Sequence, residues 1–125
     1  MLVVENQPAV LDVVCEIVKD AGYHCTCVGN GLDAFRSIPE LPTLSALVVD
    51  VNLGDGANGY EIARFSRQVI EDLPIVYISG ESTREMFEVF GEPQSQYLAK
   101  PFSDEQLRDA LTETTSCCAK KPASQ

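Results

Sequence analysis

Tryptophan is absent from this 125-residue chain, and histidine occurs once, at His24. Basic residues are scarce: nine Lys and Arg stand against nineteen Asp and Glu, for a formal charge of −10. That average field repels nucleic acid and anionic membrane surfaces, so direct binding to either is not expected. No apolar run approaches the ~20 residues needed to span a bilayer, and the N-terminus does not read as a signal peptide. The expected compartment is the cytoplasm. The five cysteines include no Cys-x-x-Cys pair, and His24 is not spaced to complete a zinc set. Cys15 falls in a helical pattern and Cys25 and Cys27 in a short strand, so all three read as small buried hydrophobes. No function attaches to Cys117 and Cys118 near the end of the chain.

What the chain does have is alternation. Its length suits one domain that buries roughly two thirds of its unfolded surface. Leu2-Val3-Val4 is a short strand ending at Glu5-Asn6. Pro8 suits a first helical turn, Val10, Leu11, Val14, Ile17, Val18 and Ala21 recur at helical spacing, and Gly22 closes the run. Residues 24–28 form a weaker second strand, and Leu32 to Ile38 a short helix stopped by Pro39 and Pro42. Ala46-Leu47-Val48-Val49 reads as a third strand buried on both faces, the habit of parallel sheets, and it stops at Asp50. A helix from about Gly59 to Ile70 carries the apolar stripe Tyr60, Ile62, Ala63, Phe65 and Val69. Pro74 to Ile78 is strand four, ending at Ser79-Gly80. Ser82-Thr83-Arg84-Glu85 has the capping-box form and opens a fourth helix with Met86, Phe87, Val89 and Phe90. Gln96 to Ala99 is strand five, ending at Lys100-Pro101, and a second capping box, Ser103 to Gln106, opens a fifth helix through Leu107, Ala110 and Leu111.

Five strands alternating with five helices predict an α/β fold with a doubly wound parallel sheet, flavodoxin-like with strand order 2-1-3-4-5. The domain is expected over residues 1–114, with residues 115–125 a polar tail or the start of a linker. In that strand order ligands bind beyond the carboxyl ends of the strands, and there Glu5, Asn6, Asp50, Ser79 and Lys100 converge. Two carboxylates and an amide oxygen suit a hard cation such as Mg²⁺. A hydroxyl and an ammonium suit phosphoryl oxygens, and Asp50 between the two groups is a nucleophile that could form an aspartyl phosphate.

These residues carry a resemblance. Val-Val-Glu-Asn-Gln-Pro, Val-Val-Asp-Val-Asn-Leu, Ile-Ser-Gly and Tyr-Leu-Ala-Lys-Pro-Phe make residues 2 to 113 similar to the receiver domain of two-component response regulators. The resemblance implies a bacterial signalling phosphoprotein that catalyses its own phosphorylation and dephosphorylation and is not a metabolic enzyme. It implies that Asp50 takes phosphate from a histidine kinase or a histidine phosphotransfer protein. Glu5, Asn6, Asp50 and the backbone carbonyl of Asn52 would surround Mg²⁺. Ser79 and Lys100 would hold the phosphoryl oxygens, Ser79 and Tyr97 would form a switch, and Asn52 and Glu81 would tune the lifetime of the phosphate. The face built from helix four, strand five and helix five would engage an output domain or protein. The Lys100-Pro101 bond is expected to be cis.

One departure matters: the family usually has two acidic residues after the first strand, and here the second is Asn6. The site loses a negative charge, so Mg²⁺ is expected to bind more weakly than in a typical receiver. A degenerate receiver, binding partners without phosphate, is therefore the alternative. Three other readings fail. Gly54-Asp55-Gly56-Ala57-Asn58-Gly59 matches G-x-G-x-x-G, but it follows the third strand rather than the first. Asp50 to Glu61 has the length of a calcium loop, but Asp55 stands where glycine is required. A phosphatase of the haloacid dehalogenase type carries a second aspartate two residues after the first, where this chain has Asn52, and the chain leaves no room for a substrate cap.

Overall fold

The computed structural model describes residues 1–41, 43–54, 58–80 and 84–123, with side chains as far as 115. Five strands, β1 (Leu2–Val4), β2 (Thr26–Val28), β3 (Leu47–Asp50), β4 (Ile75–Ser79) and β5 (Gln96–Ala99), form one sheet. All pairs are parallel and the order is β2-β1-β3-β4-β5, as the alternation of elements predicts. The helices are α1 (Pro8–Asp20), α2 (Gly31–Ser37), α3 (Gly59–Val69), α4 (Arg84–Phe90) and α5 (Asp104–Ala123), with a 3₁₀ turn at Ile38–Glu40. Helix α5 thus continues past Thr115 as far as Ala123.

Period-two alternation along the strands splits the core in two. Leu2, Val4, Leu47, Val49, Ile75 and Tyr77 point to the face covered by α2 and α3, and Phe87 of α4 packs against the same cluster. Val3, Val48, Val76 and Ile78 point to the other face, against Val14, Ile17 and Val18 of α1 and Leu107 and Leu111 of α5. Burial on both faces is why β1 and β3 read as unbroken apolar runs.

The helix ends are set by local chemistry. Pro8 opens α1, and Gly22 beyond its end has φ +97°, a conformation glycine adopts without strain. Asn30 caps α2 through its side chain, which accepts the Asp33 N–H at 2.8 Å. Ser103 and Gln106 form the expected capping box at α5, with distances of 2.8 and 3.1 Å. A box that composition did not flag opens α3: Asn58 accepts the Glu61 N–H at 3.0 Å and Glu61 accepts the Asn58 N–H at 3.1 Å. The box expected at Ser82 lies outside the described residues.

The cysteines depart from expectation. Cys15 is buried, but Cys27 is exposed on the edge strand β2 and is disulfide-bonded to Cys15 of α1, with Cα atoms 6.9 Å apart. Helix α1 packs beside β2, which brings together two residues that have no relation in spacing.

Candidate functional site

The carboxyl ends of β1, β3, β4 and β5 open on one end of the sheet, where Glu5, Asp50 and Lys100 meet. Parallel pairing of β1 with β3 aligns Val4 with Val49, so the next residues, Glu5 and Asp50, emerge side by side. Pairing of β4 with β5 aligns Ser79 with Ala99 and brings Lys100 in from the far side. The Lys100 ammonium bridges both carboxylates, 2.7 Å from Glu5 Oε1 and 3.1 Å from Asp50 Oδ2. The Lys100 N–H donates to the Ser79 carbonyl at 2.7 Å, and the following bond to Pro101 is cis, as expected.

Backbone donors hold the carboxylates. Gln7 N–H donates to Glu5 Oε2 at 3.0 Å, and Asn52 N–H donates to Asp50 Oδ1 at 3.1 Å. The Asn52 side chain in turn accepts the Gly54 N–H at 3.1 Å, fixing a turn in which Gly54 takes φ +79°. Helix α3 begins hard against this loop. A Cβ at Gly59 would stand 2.4 Å from the Asp50 carbonyl oxygen, so only glycine lets α3 approach β3 so closely.

The electrostatics follow from crowding. Asp50 is 3% exposed and Glu5 is fully buried. Burial, then the hydrogen bond and charge of Glu5, push the Asp50 carboxyl up to about 6, against the opposing pull of Lys100. The Lys100 ammonium is raised: burial opposes the charged form, but the adjacent Glu5 and Asp50 carboxylates outweigh it. One ammonium therefore serves two carboxylates and leaves the site short of positive charge. Glu5 Oε1 has the ammonium at ion-pair distance but no aligned hydrogen bond. A buried carboxylate oxygen with spare acceptor capacity, next to a second carboxyl and an open cavity, fits a hard oxygen-seeking cation. The cavity, of about 340 Å³, is lined by Asn6, Gln7, Asp50, Asn52, Gly54, Gly80 and Lys100.

The other expected site residues sit differently. Ser79 is buried at the end of β4 and is not among the described residues lining the cavity. Tyr97 lies on the α4 side of β5, its ring 5.4 Å from that of Phe87 with the Arg84 guanidinium above it at 5.9 Å. Glu81 lies outside the described residues. Two features escaped the sequence reading. Gln7 lines the cavity and steadies Glu5, and its place directly after Glu5-Asn6 was the available signal. Tyr77 is fully buried in β4, its hydroxyl accepting the Glu92 N–H at 2.9 Å, and burial pushes that phenol up to about 12. An apolar strand gives no hint of such a contact.

The model of the response regulator receiver domain family matches residues 1–112. Among curated proteins the chain is similar to the response regulator receiver protein CpdR of Brucella abortus. The two are 29% identical over 114 residues, which cover 90% of this chain and 91% of that protein. It is also 26% identical to a putative NtrX-like response regulator of Rickettsia bellii, over 86% of this chain but only 23% of that longer protein. Among solved structures, a response regulator receiver protein from Sinorhizobium medicae superposes with a TM-score of 0.88 at 28% identity, covering 94% of each chain. The receiver domain of a sensor histidine kinase from Pseudomonas aeruginosa superposes with a TM-score of 0.77 at 28% identity, covering 92% of this chain and 95% of that one. That structure has a magnesium ion coordinated in its active site cleft. No helix among the described residues is long and apolar enough to cross a membrane.

Proposed function

The chain belongs to the response regulator receiver domain family, and from that premise we propose that it is a phosphoacceptor whose acceptor atom is a carboxylate oxygen of Asp50. The observation that carries this reading is the Glu5–Lys100–Asp50 constellation beside an open cavity at the strand ends. The donor is a phosphohistidine of a histidine kinase or phosphotransfer protein. An Asp50 oxygen forms a bond to phosphorus while the P–N bond breaks, and the electron pair stays on the imidazole. Lys100, already placed between the two carboxylates, turns to the incoming phosphoryl oxygens as a point charge. The Asn52 N–H holds one oxygen of the Asp50 carboxylate, which lines the cavity.

Glu5, Asn6, Asp50 and the Asn52 carbonyl are the residues that would hold Mg²⁺. When bound, the ion supplies positive charge that offsets repulsion between the carboxylates and the phosphoryl group. Ser79 takes the remaining phosphoryl oxygen, Asn52 and Glu81 tune the lifetime of the phosphate, and Tyr97 follows Ser79. The α4–β5–α5 face then changes shape and with it the affinity for an output domain or protein. Residues 1–114 act as the domain and residues 115–125 as a polar tail or the start of a linker, in a cytoplasmic setting without direct contact to nucleic acid or membrane.

Intact mass after incubation with acetyl phosphate at rising Mg²⁺, beside an Asp50→Asn control, tests the reading. The expected result is a gain of one phosphate that needs the metal and vanishes in the control. No gain at any Mg²⁺ concentration would replace this reading with a receiver that binds its partner without phosphate.

A further inference from the structure

Where α1 packs beside the edge strand β2, three sulfur atoms gather that the phosphoacceptor reading does not use. Cys15 on α1, Cys25 before β2 and Cys27 on β2 have their Sγ atoms all within 4.8 Å of one another. The free Cys25 thiol lies 3.3 Å from the Cys27 sulfur. The cluster is half open, with Cys15 buried, Cys25 half-buried and Cys27 exposed.

We propose that, once the Cys15–Cys27 bond is reduced, Cys15, Cys25 and Cys27 bind one thiophilic d¹⁰ cation, Cu⁺ or Zn²⁺. Reduction is by a dithiol: its two electrons and two protons pass to the Cys15–Cys27 bond, giving two thiols, and the dithiol becomes its own disulfide. The cation then displaces the thiol protons and takes three thiolates.

The geometry suits this. At the ~2.3 Å bond length of zinc thiolates, sulfurs around one tetrahedral ion stand about 3.8 Å apart. The three sulfurs already lie within 4.8 Å of one another, near the spacing that one ion requires. Solvent at exposed Cys27 gives an ion its path in and a fourth ligand where one is wanted.

The charge suits it too. Three thiolates leave the complex anionic in a chain that carries −10 overall, and two nearby cations act against that. The N-terminal ammonium and Lys19 both act on Cys25 and favour its thiolate, although burial, the larger effect, raises that thiol. The Met1 ammonium is tied here by donating to the His24 carbonyl. Metal binding would join α1 to the edge strand, the same two elements that the disulfide joins in the oxidised protein.

The test uses the full chain with Cys117→Ser and Cys118→Ser, so that no other thiols compete. Reduced protein is titrated with Zn²⁺ and, separately, with Cu⁺, each against a chromophoric chelator. Co²⁺ serves as a probe whose sulfur-to-metal charge-transfer intensity counts thiolates. The expected result is one ion per chain, bound more tightly than about 1 μM for Zn²⁺ or Cu⁺, a three-thiolate Co²⁺ spectrum, and no uptake by oxidised protein. Cys25→Ser and Cys27→Ser, both at accessible positions, should each weaken binding by more than the roughly 10–100-fold lost with a supporting contact. Absence of binding by either metal overturns the proposal. So does binding that persists unchanged in Cys25→Ser, since two thiols would then explain it.

Discussion

Replacing Asp50 with asparagine should make the metal-free protein more stable at neutral pH, although it removes the proposed acceptor. In the folded chain, burial and the neighbouring Glu5 lift the Asp50 carboxyl from 3.8 to about 6. Ionising it there costs about 3 kcal/mol more than in the unfolded chain. The pH dependence has a definite sign. Below about pH 4 the group is protonated in both states and carries no penalty. Between about 4 and 6 the unfolded chain has released a proton that the folded chain keeps, so stability falls as pH rises. Above about 6 the full penalty applies.

Asparagine cannot ionise, and its Oδ1 can still accept the Asn52 N–H. It gives up the Lys100 contact at 3.1 Å, but Lys100 keeps Glu5 at 2.7 Å. After these losses the variant should gain about 1–2 kcal/mol at about pH 7.5. The gap between variant and wild type should widen by about 2 kcal/mol from about pH 4.5 to 7.5. Urea midpoints for both proteins in a metal chelator at the two pH values measure this. Mg²⁺ should narrow the gap by stabilising only the wild type. A gap that does not change with pH, or a wild type more stable than the variant at about pH 7.5, would refute the assignment of strain to Asp50.

The remaining predictions rest on other features of the site. Asn6→Asp should tighten Mg²⁺ roughly tenfold at low salt by adding one carboxylate to the cavity wall, and a metal titration showing no gain would count against Asn6 as a ligand. Gly59→Ala should destabilise the protein by about 1–3 kcal/mol in urea unfolding, because its Cβ would lie 2.4 Å from the Asp50 carbonyl oxygen and force α3 away from β3. Tyr97→Ala should leave phosphate uptake by mass intact but make partner binding the same with and without phosphate, whereas binding that stays fully phosphate-dependent would remove Tyr97 from the switch.

Much of this protein is legible in one dimension because its signals are local. Leu2-Val3-Val4 and Leu47-Val48-Val49 are apolar without a break because both faces are covered, and that pattern alone implies a parallel sheet. Ser103 and Gln106 lie within one helical turn, so a short-range rule reads their capping box. A strand-end position is likewise local, which is why Glu5, Asp50, Ser79 and Lys100 could be named before any distance was known. What they do to one another is not local. Lys100 comes within 2.7 Å of Glu5, 95 positions away, and 3.1 Å of Asp50 only because the strand order places β5 across the crevice. The raised Asp50 carboxyl exists only once burial and Glu5 act together. The cysteines show the same divide. Spacing offered no metal set and no pairing for Cys15, Cys25 and Cys27, because spacing cannot see α1 lying along the edge strand. Periodicity along the chain determined which elements form, and the packing of those elements decided which charged and sulfur-bearing side chains share a dielectric and can act on each other.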